Sequence, residues 1–252
     1  MGGTTYGTLS NIATEYAQVM GETWSPSSTE NDYRQVCPTS GKIKNLYVAL
    51  NVDPGTSPDA YRFTLRVNKA DSALTVTITA DDTTGNDTAH EVTVAAGDVL
   101  TMKIEPLNGP SATPYACWGM TFVPDTDGES IVIAGTDNSL NTGVTEYIYL
   151  AGNWSSWSAD ELKHTLGQSC TLKKLYVLLS AAPGDGKSYT FTLRKPGNGQ
   201  IDGNLTVTIT GAAATTGNDV AHTDAISNDD YLDLECTPAN TPTEADAYWG
   251  SG

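Results

Sequence analysis

A carboxylate and an imidazole stand three residues apart in two places along this chain. The segment Thr83-Thr-Gly-Asn-Asp-Thr-Ala-His90 recurs with one change at residues 215–222, which sets Asp87 beside His90 and Asp219 beside His222. The chemistry such a pair suggests is metal binding. Zinc takes three or four ligands, and each copy of the motif offers two. The spacing therefore predicts a turn, with Gly85 and Asn86 accepting positive φ and Asp87 capping the backbone through its side chain.

A second acidic group is Asp125, Asp127 and Glu129, alternating around Gly128. Alternate carboxylates near a glycine can wrap calcium, the one cofactor the chain suggests. The further oxygen ligands and closing Glu of an EF-hand are missing, so the segment reads as a polar linker. Glycoside hydrolysis needs two carboxylates on a scaffold, and Glu15 and Glu146 are the acids that recur for that role. Of the five tryptophans, Trp118 and Trp249 lie in apolar strands and belong to a core. Trp24, Trp154 and Trp157 lie in Ser-rich loops. There a ring either stacks on a sugar, anchors an interface, or folds back over the end of the domain. Asn86, Asn153 and Asn204 match the glycosylation acceptor pattern, which arises often by chance in a Thr-rich chain. No G-x-S-x-G, H-E-x-x-H, Walker A or dinucleotide fingerprint is present, and His164 has no counterpart. The reading is non-enzymatic, since doubling a module strengthens binding or extends a structure but adds little to a single active site.

The elements that carry these residues repeat at an offset near 130. Leu46-Tyr47-Val48 recurs as Leu175-Tyr176-Val177, and Tyr61-Arg-Phe-Thr-Leu-Arg66 as Tyr189-Thr-Phe-Thr-Leu-Arg194. Leu74–Thr79 recurs unchanged as Leu205–Thr210, and Trp118-Gly119 as Trp249-Gly250. Within the blocks, apolar residues alternate with Thr, Arg and Lys, the period of a half-buried antiparallel strand. Turn residues such as Asp53-Pro-Gly55 and Ala96-Gly-Asp98 separate them. One apolar face per strand must find another, so two sheets pack face to face. The fold class expected is all-β: two tandem antiparallel β-sandwich (jelly-roll) modules, residues 1–128 and 129–252. The one helix candidate is Ser158–Leu166, where Ser158 and Glu161 are spaced as a capping box.

The net charge is −17, from 30 acidic and 13 basic residues. So acidic a surface repels phosphate backbones and anionic membranes, which argues against nucleic acid as a partner. No stretch approaches the ~20 apolar residues of a membrane span, and no secretory signal is visible at the N-terminus. Cys37, Cys117, Cys170 and Cys236 form no C-x-x-C pair. Cys37 and Cys170 fall at matching places while the other two do not, so buried free thiols are expected rather than a repeated disulfide.

The late part of module one reads Val-Thr-Val-Ala-Ala-Gly-Asp-Val-Leu-Thr-Met-Lys-Ile104, a loop, and Trp118-Gly-Met-Thr-Phe-Val-Pro124. This order resembles the final strands of C1q/TNF-type jelly rolls. The whole unit is similar to repeats in phage and environmental virion-type proteins. That resemblance implies a structural protein of a virion or extracellular fibre whose partners are copies of itself or other proteins of the assembly. The alternative is a carbohydrate- or cell-surface-binding module that takes glycans on Trp24, Trp154 and Trp157. Module two stops two residues after Trp249-Gly250, without the counterpart of Met120–Pro124 and of Ser130–Ala134. Three explanations stand open: the parent chain continues, the sheet is shorter there, or another copy supplies a strand to an assembly edge at Trp249 and Gly250.

Overall fold

The computed structural model describes residues 1–151, 156–197 and 199–252, and these contain strands and one short 3-10 turn but no α-helix. The chain divides into two compact units, Met1–Ser130 and Ile131–Gly252.

Unit 1 holds β1 (Gly2–Thr5), β2 (Glu15–Ala17), β3 (Gly21–Thr23), β4 (Gln35–Val36), β5 (Gly41–Leu50), β6 (Ala60–Val67), β7 (Ala70–Thr79), β8 (Thr84–Val94), β9 (Val99–Leu107) and β10 (Ala116–Pro124). One sheet runs β3-β1-β10-β5-β8; the other runs β2-β9-β6-β7, with β4 also on β9. All pairs are antiparallel except β1 with β3. The alternation read in the sequence decides which side chains point in. Ile43, Leu46 and Val48 of β5 and Phe63 and Leu65 of β6 are buried, and Phe63 meets Trp118 of β10 across the core with ring centroids 6.3 Å apart.

Unit 2 holds β11 (Val132–Thr136), β12 (Glu146–Ile148), β13 (His164–Thr165), β14 (Cys170–Leu179), β15 (Gly184–Gly197), β16 (Gly199–Gly211), β17 (Thr216–Ile226), β18 (Tyr231–Ala239) and β19 (Ala247–Ser251). Its sheets run β11-β19-β14-β17 and β12-β18-β15-β16, with β13 on β18. Apart from β3, which has no counterpart among the described residues, this follows the order in unit 1 strand for strand. Even the bulge in β5, where Asn45 takes φ 56°, returns in β14 at Lys174 with φ 56°.

Three expectations are corrected. The Thr-Thr-Gly-Asn-Asp segments are not turns but the first residues of β8 and β17, and neither Gly85 nor Gly217 has positive φ. Glycine is needed there for close approach: a Cβ on Gly85 would stand 2.7 Å from Val76 Cγ1, and one on Gly217 2.7 Å from Val207 Cγ1. Residues 158–166 form no helix. Ser158 bridges Tyr147 through two backbone bonds, and its hydroxyl accepts from the amide of Asp160, so the capping geometry never forms. Trp249 and Gly250 lie at no edge. Residues 132–136, which lie within the second module as bounded by sequence, form β11 and pair along β19, whose other side pairs with β14.

Candidate functional site

The repeated Asp–His pair locks each sandwich. Asp87 of β8 is buried. Its Oδ1 accepts the amides of Ala89 and His90 at 3.1 Å each, and its Oδ2 accepts the amide of Thr75 on β7, in the opposite sheet, at 3.1 Å. His90 Nδ1 lies 2.9 Å from Oδ2. Asp219 repeats every bond with Ala221, His222 and Thr206. Burial pushes both carboxyls up, but the bonds they accept outweigh it and hold them below the usual range. The pair is a cross-sheet staple.

The other residues singled out by sequence fall as follows. Glu15 accepts the amide of Ser10, and Glu146 that of Asn141, each at 2.7 Å, so both acids fasten a loop. Glu129 accepts the hydroxyl of Thr39, and among the described residues no three acids, histidines or cysteines form a group that could hold a metal ion. Trp157 is a core residue, 7 % exposed, against Phe191 and Trp249 with centroids 6.2 and 5.7 Å apart. Trp154 lies outside the described residues. Trp24 is exposed and stacks on Tyr6. All four cysteines are free, but only Cys37 and Cys236 are buried. Cys117 is exposed because it sits on an outward position of β10, and Cys170 because it stands at the open start of β14. Cys170 opens β14 where β5 has Gly41, so it does not match Cys37 after all.

Sequence reasoning missed two places. The first surrounds Asp233 on β18, 0 % exposed and opposite Arg194 on β15. Among the described residues, neither oxygen of its carboxyl has a hydrogen-bond partner. Around it stand Glu161, Lys163, Glu235 and Arg194: Glu161 pairs with Lys163 at 2.8 Å and with Arg194 at 3.4 Å, and Arg194 reaches Glu235 at 3.5 Å. Burial first, then Glu161 and Glu235, push the carboxyl up to about 7 against the pull of Arg194 and Lys163. His164 on β13, beside Leu232, is likewise without partners at either ring nitrogen, and burial lowers its pKa. Unit 1 has Thr101 where unit 2 has Asp233, and its hydroxyl donates to Glu30 at 2.8 Å.

The second place is the outer face of the β3-β1-β10-β5-β8 sheet. Register puts Asn86, Tyr47, Gly119 and Gly2 in one row across four strands. The parallel row two residues on holds Thr84, Ala49, Cys117, Thr4 and, on β3, Glu22. One row further, the ladder bonds Asn51 N to Tyr115 O and Tyr6 N to Thr23 O set Tyr115, Tyr6 and Trp24 on the same face. Tyr47, Tyr6, Trp24 and Tyr115 are 55, 57, 54 and 45 % exposed. A concavity of about 500 Å³ opens beside Tyr47, with Thr84, Asn86, Cys117 and Gly119 in its lining and no charged side chain. Only pairing register assembles this group; of its rings, sequence had singled out Trp24 alone.

No protein-family model and no curated protein matches the chain.

Proposed function

We propose that the chain is a structural subunit of a virion or an extracellular fibre, contributing shape and surfaces rather than catalysis, with copies of itself or other proteins of the assembly as partners. The observation that supports this reading is what the two units hold in common. Asp87 and Asp219 staple the sheets with the same bonds. Trp118 and Trp249 each donate Nε1 to a backbone carbonyl, of Val19 and Leu150, at 3.0 and 2.9 Å. Tyr61 and Tyr189 each donate a hydroxyl to a loop carbonyl, of Ala112 and Thr243. These are buried polar groups satisfied identically, the marks of a scaffold kept rigid and used twice.

Negative-stain electron microscopy of the purified chain, from dilute to concentrated solution, tests the reading. Filaments, rings or shells of regular spacing are the expected result. Single particles at every concentration, with no growth in mass by light scattering, would refute self-assembly as its function.

A further inference from the structure

Monomeric proteins rarely leave aromatic rings clustered on one open face without a use for them. Here four such rings share one face of one sheet, and the spacing follows from strand geometry. Neighbouring strands lie about 4.8 Å apart and like-facing residues about 6.8 Å apart along a strand, so Tyr47 and Tyr6 stand on the order of 15–20 Å from each other. That is the reach of an oligosaccharide rather than of one sugar. The hydroxyl of Thr84 and the amide of Asn86 are exposed at the Tyr47 end. Gly119 between Tyr47 and Gly2 leaves the floor open, since a Cβ there would meet only Met1 O at 3.9 Å.

We infer that this outer face binds a neutral oligosaccharide, with Tyr47, Tyr115 and the mutually stacked Tyr6–Trp24 pair as platforms and Asn86 and Thr84 as hydrogen-bonding groups. The ligand class follows from the lining. Aromatic faces take the apolar side of a pyranose ring, while an amide and a hydroxyl satisfy its hydroxyls. The concavity carries no cation to hold a carboxylate or sulfate, and a chain of net charge −17 repels anionic glycans. Unit 2 keeps the Tyr176–Asn218 pair but has Asp137 and Asp246 where unit 1 has Tyr6 and Tyr115, so among the described residues the aromatic group is that of unit 1. The inference stands apart from the assembly reading: a chain that stays single can still bind.

Two free thiols supply the test. Cys117 lies in the concavity, and Cys170, exposed in unit 2, serves as the internal reference. The full chain is equilibrated with cellohexaose, xylohexaose, maltohexaose or chitohexaose, alkylated with iodoacetamide, and each cysteine is read by peptide mass spectrometry. One of these sugars is expected to slow modification of Cys117 by about tenfold at ten times its Kd. The rate at Cys170 should stay unchanged. Tyr47→Ala should abolish the protection and Asn86→Ala should weaken it, both with unchanged circular dichroism; if Tyr47→Ala disturbs the fold, Trp24→Ala carries the same expectation. The inference fails if no sugar protects Cys117, if both thiols are slowed alike, if protection survives the substitutions, or if decaproline protects where the sugars do not.

Discussion

Replacing Asp233 by Asn, or by Thr as at Thr101 of unit 1, should stabilise unit 2 at alkaline pH and change little in acid. The carboxyl is fully buried, lacks hydrogen-bond partners among the described residues, and is raised from 3.8 to about 7 by burial and then by Glu161 and Glu235. A folded-state value above the unfolded one means that the folded chain holds the proton more tightly. Stability therefore falls as pH rises from 3.8 to about 7 and is level above it. At about 1.4 kcal/mol for each tenfold change in proton affinity, the ceiling on the loss is about 4 kcal/mol. Scanning calorimetry of the full chain and of Asp233→Asn at about pH 5 and about pH 8 isolates this term. Other carboxyls of unit 2, such as Asp219 and Asp224, are held low and lose stability in acid, so the difference between the two proteins is the quantity to read. A difference of the same size at both pH values, or a destabilised variant at the higher one, would refute the reasoning.

Three further outcomes are expected. Asp87→Ala leaves the amides of Thr75, Ala89 and His90 unsatisfied, which should cost unit 1 about 2–5 kcal/mol in urea denaturation. Because Asp87 is held below 3.8 in the folded state, its contribution is full above that pH and lost as pH falls through the folded value, so the variant should show a flatter acid limb. Gly85→Ala drives a methyl against Val76 and should cost about 1–3 kcal/mol with secondary structure intact by circular dichroism. Trp157→Ala empties the space between Phe191 and Trp249 and should lower the unit 2 melting transition by about 3–5 kcal/mol, whereas a loop tryptophan would cost almost nothing.

The strands were legible because burial on one side imposes period two: Phe63 and Leu65 inward, Thr64 and Arg66 between them. What escaped was whatever depends on the partner strand. Thr-Thr-Gly-Asn-Asp has turn composition, yet Gly85 is chosen for the Val76 and Ile78 side chains packed over it, and nothing local says so. Trp157 stood among serines, where sequence left an exposed ring and one folded back over the domain end both open; its burial comes from Phe191 and Trp249, far along the chain. Asp233 reads as an ordinary polar residue between Leu232 and Leu234, which are themselves buried. The Tyr47–Asn86 neighbourhood needs β5 and β8 in register before it exists. The repeat did hint at it, because Tyr47 and Asn86 recur as Tyr176 and Asn218 although neither fills a core.

Each unit begins and finishes in adjacent strands of one sheet: Gly2 pairs with Gly119, and Val132 with Ser251. Neither sandwich must be threaded or opened for its ends to meet. A gene segment encoding such a unit can be duplicated, spliced in frame, or circularly permuted with short joints, since the break falls where the backbone already comes back on itself.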